Sequence, residues 1–483
     1  MKNKLYATAV FIIFGLFLFI NILTLNDGHN WGDDFAQYIH HSINLVEHKP
    51  YTSDISLDHW LIYPPGFPLL LSSIIYWVGI NLKLLKSLNV LLWALSALVV
   101  YGITLDSLDL IWARMLTVWF LTFPFFFFFK QDVLSDIPFM FFVLLSLWAL
   151  IKSEGYQQRG SNGPGRVLLL LSIVCASYSL LIRWAGISLL LAVVVYFLVV
   201  KRDWKKPLGF ILGSGVSWVI AWQCGSLFSG YLCKTTDSMQ EWFWANYYNV
   251  TYNFEMILGF FVTDDKLFSK MTMPISLGLF NTAFGLLLLC IIGLFAYRLY
   301  QRKISLIGCF TFFYLMQAFC WPVRGGSRYM LPIIIPIAIY GVKKVKIGFQ
   351  KVVLFIFLIL IAQNIFVIGS NFKFNDDDIY QKESLEMAQW VTIHLKSDER
   401  YMFAKPRALW LLTHRVGASY GMYHRDKDLW YKRIKPLHIG YLICDKHFDS
   451  IGRLNDFRIR VDEGVLNITV VWENSRYKIF KVS

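Results

Sequence analysis

The residues best suited to chemistry stand in one stretch, residues 31–68, which reads WGDDFAQYIHHSINLVEHKPYTSDISLDHWLIYPPGFP. Asp33 and Asp34 are adjacent carboxylates that follow a run of about twenty apolar residues, a length that crosses a bilayer, so both acids emerge where lipid meets water. A carboxylate placed there can take the proton of an acceptor hydroxyl that comes within hydrogen-bond reach. The structural alternative for Asp34 is a helix amino-terminal cap, with Gln37 three residues on completing a capping box. Asp132 and Asp136 form a second acidic set after a later apolar run. Asp136, in Ser-Asp-Ile-Pro, is at the lip of the next helix and is the better placed of the two; a solvated loop is the other account. The four acids together offer oxygen ligands to a divalent cation.

Arg183, Arg324 and Arg328 follow the ends of apolar runs. An arginine near a bilayer is costly unless it is paired or snorkels to the headgroups. These three fall on the face that carries the acids, where the positive-inside bias predicts few cations. A forked guanidinium binds two phosphate oxygens at once and meets the charge that a leaving phosphate oxygen gains. His40, His41, His48 and His59 crowd the first loop. The polar face of an interfacial helix accounts for most of them, while His59, near Pro64-Pro65, is placed to line a sugar pocket. Asn249-Val-Thr251 and Asn467-Ile-Thr469 match glycan acceptor triplets, a pattern that arises often by chance.

The elements that must position these groups are set by composition. Of 483 residues 56% are apolar, 17% aromatic and only 16% charged, and mean hydropathy is clearly positive, a balance expected of a mainly α, polytopic membrane protein. The formal charge of +14 does not point to nucleic acid, because the cations cluster in short loops between apolar runs. The seven cysteines include no CxxC and no histidine at metal spacing, so neither a disulfide framework nor a zinc site follows.

Residues 6–25 read as a retained first span with the amino terminus inside. Further spans are expected at 84–104, 110–129, 137–151, 167–181, 187–200, 208–231, 274–297, 304–321, 329–340 and 352–370, about eleven in all. Residues 152–166 read as a polar, glycine-rich cytoplasmic linker. In the first outer loop, 26–83, Phe35, Tyr38, Ile39, Ile43 and Val46 recur at helical spacing with His40, His41, Asn44 and Glu47 between them, as in a helix lying flat on the interface. The chain divides into a membrane part, 1–370, and a soluble part, 371–483, with a helix at 382–395 and strands at 401–404, 439–444, 466–472 and 477–482.

The acid at the end of the first span, Tyr38 four residues beyond Asp34, Tyr63-Pro64-Pro65 turning into an apolar helix, and Arg324-x-x-x-Arg328-Tyr329 before a proline-rich span resemble the polyprenyl-phosphate-dependent glycosyltransferases of GT-C type. That group includes the protein O-mannosyltransferases and the aminoarabinose transferase of lipid A. The resemblance implies transfer of a hexosyl or pentosyl group, with inversion, from a polyprenyl-phosphate carrier to a glycan, lipid or protein hydroxyl at the outer face of the cytoplasmic membrane. It implies Asp34 as the base, although the adjacent Asp33 keeps the choice between them open, and donor or acceptor contacts from Asp132, Asp136, Arg183, Arg324, Arg328, Tyr38, Tyr63 and His59. Tyr63 stands where the aminoarabinose transferases have a lysine, so a different sugar or carrier contact is implied. The soluble part would lie outside the membrane and help bind the acceptor or cover the site. The rival readings are a transporter or lipid flippase, which would carry acids within its spans, and a non-enzymatic scaffold.

Overall fold

The computed structural model describes residues 14–57, 62–225, 290–320, 327–370, 379–419, 437–446 and 468–482. His59, Arg324, both Asn-x-Thr triplets and the 370/371 division lie outside or at the edge of these residues. The apolar runs form helices, since in lipid a backbone amide is satisfied most simply by its own helix. Among the described residues, five are long and apolar enough to cross a membrane: Leu82–Ser107, Asp136–Gln158, Asn162–Ile182, Trp184–Lys201 and Gln350–Ser370. Shorter apolar helices occupy Phe14–Leu23, Gly66–Val78, Leu110–Leu121, Cys290–Tyr300 and Leu306–Phe319.

Two expectations need correction. Residues 110–129 are not one helix: the first stops at Leu121 and a second, Pro124–Phe129, starts on a proline, whose missing amide hydrogen suits a helix's first turn and no later one. The stretch read as a linker is mostly helix. Asp136–Gln158 runs beyond its apolar part and the next helix begins at Asn162, with Gly160 turning the chain at φ +76°. Charges support this extension: Lys152 pairs with Asp106 at 2.6 Å and Glu154 accepts from Lys206.

Beyond the helices, β1 (Arg400–Phe403), β2 (Gly417–Ser419), β3 (Ile439–Asp445), β4 (Ile468–Glu473) and β5 (Tyr477–Val482) form one mixed sheet in the order β2-β1-β3-β5-β4. The β2-β1-β3 half is parallel and the β3-β5-β4 half antiparallel. The Lys382–His394 helix and the four longer strands stand where the sequence places them. The short helix Pro406–Thr413, which crosses over between β1 and β2, and the three-residue β2 itself were not expected.

One apolar core runs from the helices into the sheet. Trp31 packs edge-on against Phe403 and Tyr477, with ring centroids 5.2 and 6.4 Å away. Leu57 N donates to Gly417 O at 2.9 Å, and Ile379 N to His29 O at 3.2 Å. The Asp33–Val46 helix is therefore not laid flat with a wet polar face. Its polar residues Gln37, His40, His41 and Asn44 are buried along with Phe35, Tyr38 and Ile39. The Gly66–Val78 helix packs against it on one side and the Pro406–Thr413 helix on another. His40 meets the Trp410 ring edge-on at 4.8 Å while its Nε2 bonds Asp54 Oδ1 at 2.7 Å, and His41 Nε2 bonds Gln37 Nε2 at 2.7 Å. Burial pushes both imidazoles down, His41 to about 3, so they serve as neutral hydrogen-bonding groups.

The Gly66–Val78 helix enters against the end of Asn162–Ile182 only because its first residue has no side chain. A Cβ on Gly66 would lie 2.7–2.8 Å from backbone atoms of Leu181 and Ile182, and Tyr178 Oη donates to Gly66 O at 2.8 Å. This approach fixes Tyr63, just before the helix, relative to Arg183, just after Ile182. Gly66→Ala is expected to destabilise the fold by about 1–3 kcal/mol through overpacking, read as a lower unfolding midpoint in detergent. An unchanged midpoint would mean that the two helices part freely.

Candidate active site

The Asp33–Val46 helix begins after Gly32, the N-cap, which gives no side-chain cap. Asp33 and Asp34 are thus the first two helical residues and not caps, and the capping reading of Asp34 is set aside. Their negative charges suit a helix amino terminus. The preceding turn is fixed by His29, which stacks on Phe35 with centroids 3.7 Å apart. Its Nδ1 donates to Asn30 O at 2.9 Å and its Nε2 accepts from Val133 N at 3.0 Å, a pattern that requires the neutral ring. Burial holds it there, lowering it to about 3.

The two acids are not equivalent. Asp33, 9% exposed, has both oxygens engaged: Oδ2 accepts from Arg407 Nε at 2.8 Å and Oδ1 from Ala408 N at 3.1 Å. Asp34, 32% exposed, accepts at Oδ1 from Tyr63 Oη at 2.7 Å and Arg407 Nη2 at 3.2 Å. Among the described residues, its Oδ2 meets Arg328 Nη2 at the longer distance of 3.5 Å. Burial by itself would raise the Asp34 carboxyl, but Arg407, Arg328, the Tyr63 hydrogen bond and Arg183 together outweigh it and hold it down at about 2.

Arg183 is committed elsewhere. Its Nη1 donates to Asp136 Oδ1 at 2.6 Å and to Ser135 Oγ at 3.2 Å, and Ser135 Oγ also meets Tyr38 Oη at 2.9 Å. The Tyr38 ring stacks on Tyr63 with centroids 4.7 Å apart. Arg183 and Arg328 face the same Tyr329 ring, at 4.5 and 5.5 Å from its centroid. Arg183 and Arg328 thus stand around one set of groups with Asp34, Asp136, Tyr38 and Tyr63, while Arg324, the third arginine expected on this face, lies outside the described residues.

A cavity of about 510 Å³ opens at Asp34 and is lined also by Asp132, Arg328, Lys405 and Arg407, with Phe129 and Leu134 as apolar wall. Asp132 Oδ1 accepts from Asn30 Nδ2 at 2.7 Å, and burial pushes its carboxyl up to about 6, against the pull of Lys86. Among the described residues no three His, Cys, Asp or Glu side chains gather to hold a metal ion. Asp33 and Asp34 meet Arg407, and Asp136 meets Arg183, so a donor set already balanced by guanidinium does not fit the oxygen cage of a divalent cation.

The sequence reading missed Arg407. It is 374 residues from Asp33 along the chain, in a run, PRALWLLT, that reads like any short amphipathic segment. The one available hint was chemical, two adjacent acids without an evident counter-ion.

The folded value of Asp132 lies above its ordinary 3.8, so its contribution to stability is fully present below about pH 4 and is lost as pH rises through about 6. Wild type should lose stability relative to Asp132→Asn over that interval, measured as the difference in unfolding midpoint. A difference independent of pH would show Asp132 to be solvated.

The family model described as dolichyl-phosphate-mannose-protein mannosyltransferase matches residues 4–228. No curated protein matches the chain. Among solved structures, ArnT from Cupriavidus metallidurans bound to undecaprenyl phosphate is similar at 13% identity and a TM-score of 0.58, covering 98% of each chain. The archaeal oligosaccharyltransferase AglB from Archaeoglobus fulgidus, in complex with an inhibitory peptide and a dolichol-phosphate, is similar at 11% identity and a TM-score of 0.56, over 92% of this chain and 70% of that one. The resemblance read from the sequence thus holds: residues 4–228 match the protein mannosyltransferase model, and the chain as a whole shares the fold of the glycosyl-transferring membrane proteins ArnT and AglB.

Proposed function

We propose that this chain moves a sugar from a polyprenyl monophosphate to an acceptor hydroxyl at the outer face of the cytoplasmic membrane. The observation that carries the reading is that a carboxylate and a guanidinium line one cavity and face each other there, Asp34 Oδ2 standing 3.5 Å from Arg328 Nη2. The lipid phosphates bound by ArnT and AglB support a carrier of this class. In this reading eleven spans run from a cytoplasmic amino terminus, and the sheet domain, with Asp34 beneath it, lies outside.

The acceptor oxygen attacks the anomeric carbon while Asp34 Oδ2 takes its proton. The bond from that carbon to the phosphate oxygen breaks, its electrons remain on the phosphate, and attack from the opposite side inverts the centre. Arg328 meets the charge that develops on the leaving oxygen. Held at about 2, Asp34 is ionised at neutral pH but is a weak proton acceptor. The incoming phosphate competes for Arg328, so donor binding removes one of the cations that depress Asp34. Asp33, with both oxygens bound, positions rather than reacts. Tyr63 donates to the closed oxygen of Asp34, a different task from the phosphate contact of a lysine at that place.

Asp34→Asn keeps the size of the side chain and removes the base; turnover should fall at least about a hundredfold with the amount of folded protein unchanged. Arg328→Ala should weaken binding of polyprenyl monophosphate on the order of ten- to a hundredfold. An active Asp34→Asn enzyme would remove Asp34 from the chemistry. For sidedness, a cysteine in place of the exposed Ser475 should react with an impermeant maleimide added outside intact cells, and one in place of Asn162 should not. The reverse pattern would put the cavity on the wrong face.

A further inference from the structure

The Pro406–Thr413 helix belongs to the sheet domain, yet its Arg407 is 4% exposed and directs all three guanidinium nitrogens into the first loop. Nε reaches Asp33 Oδ2 at 2.8 Å, Nη2 reaches Asp34 Oδ1 at 3.2 Å, and Nη1 reaches Tyr63 Oη at 3.4 Å. The next backbone amide, of Ala408, takes the remaining oxygen of Asp33. We propose that Arg407 is a positioning residue of the transfer site, holding Asp33 and the Oδ1 oxygen of Asp34 so that Oδ2 of Asp34 is the oxygen left to act as base; this deepens, and rests on, the assignment of Asp34 as base.

Geometry carries this assignment. A carboxylate at the start of a helix has two oxygens and a free χ rotation, and either oxygen could face the cavity. Bonds from Tyr63 and Arg407 to the same oxygen remove that freedom. A reacting group displaced by an ångström loses on the order of a hundredfold in rate, so a fork that holds it has a kinetic role even without touching substrate. The fork also makes the sheet domain a fixed part of the site. Three further contacts dock that domain on the first loop: Leu57 to Gly417, Ile379 to His29, and Trp31 against Phe403.

Arg407 also acts on the charge of Asp34. The groups facing that carboxyl are Asp33 on its own helix, Tyr63 before the Gly66–Val78 helix, Arg183 after Asn162–Ile182, Arg328 in the turn Ser327–Met330, Arg407 from the sheet domain, and His29 and Asp132 around the cavity. Of the cations, Arg407 has the strongest hold. Its removal should therefore raise the pH at which Asp34 ionises by roughly one to three units.

The test uses the full chain in nanodiscs, as wild type, Asp34→Asn, Arg407→Gln and Arg407→Lys. Infrared titration follows the carboxyl band that Asp34→Asn abolishes. Turnover is followed from pH 4 to 9 with the polyprenyl-phosphate-sugar fraction of the source membranes, and binding with polyprenyl monophosphate alone. Arg407→Gln should raise the Asp34 titration and the acid limb of the rate profile together, and cut kcat by at least about tenfold. Polyprenyl monophosphate binding should stay within about twofold, since Arg328 is intact. Arg407→Lys should restore the titration, because the charge returns, but only part of kcat, because the fork does not. An unmoved Asp34 titration in folded Arg407→Gln, or a fall in kcat that only tracks lost folded protein, would overturn the proposal. A wild type without Asp34-dependent turnover would instead defeat the transferase reading, and the infrared titration would still decide whether Arg407 governs Asp34. If Arg407→Gln does not fold, the comparison of Arg407→Lys with wild type decides through the split between a preserved titration and a reduced kcat.

Discussion

A buried guanidinium bound to two adjacent carboxylates is the constraint on which the rest depends. Arg407 cannot leave water without compensation, and neither can Asp33, so each requires the other in place before the sheet domain and the first loop can close on one another. Their union explains an otherwise costly arrangement, a helix with Gln37, His40, His41 and Asn44 on one side that is buried on that side as well as the other. Each of those polar groups finds a partner: Gln37 with His41, His40 with Asp54 and Asn44. Neutral imidazoles are what such a place can hold, and burial keeps them neutral.

The same interaction divides two acids that differ little in sequence. Asp33 uses both oxygens to hold the domain, whereas Asp34 gives one to Tyr63 and Arg407 and turns the other toward Arg328. The arginines differ in the same way. Arg183 is fixed by Asp136 and Ser135, while Arg328 stands 3.5 Å from the Asp34 carboxylate and faces the Tyr329 ring that Arg183 also meets.

The helical scaffold supplies position through local departures from regularity. Pro124 ends one helix direction and starts another just before the loop of Asp132, and Gly66 lets the helix after Tyr63 approach the end of the helix before Arg183. Lys130, in that loop, has no carboxylate within reach among the described residues; it donates to Asn21 Oδ1 at 2.9 Å and Thr24 Oγ1 at 2.6 Å, so the end of the first apolar run is tied to the loop that carries Asp132. Tyr63 and Arg183, which end on the same pair of helices, face Asp34 and Asp136 respectively.

The sequence by itself determined the class of the molecule and picked out most of the charges that the structure gathers around Asp34, because both depend on local rules. Lipid admits only self-satisfied backbone, so apolar runs had to be helices; alternation marked the longer strands; and Asp33, Asp34, Asp136, Arg183 and Arg328 stood out as charges beside apolar runs. Tertiary structure decided what each charge does. That Asp34 is no cap, that the histidine face is covered, that Arg183 is a strut, and that a residue near position 407 completes the first loop are all facts about pairs far apart in the chain. Periodicity reports which face of an element is apolar. It carries no information on which distant element covers a polar face, since that choice is made by the joint free energy of desolvating and pairing groups such as Arg407 and Asp33, and only the folded chain brings them together.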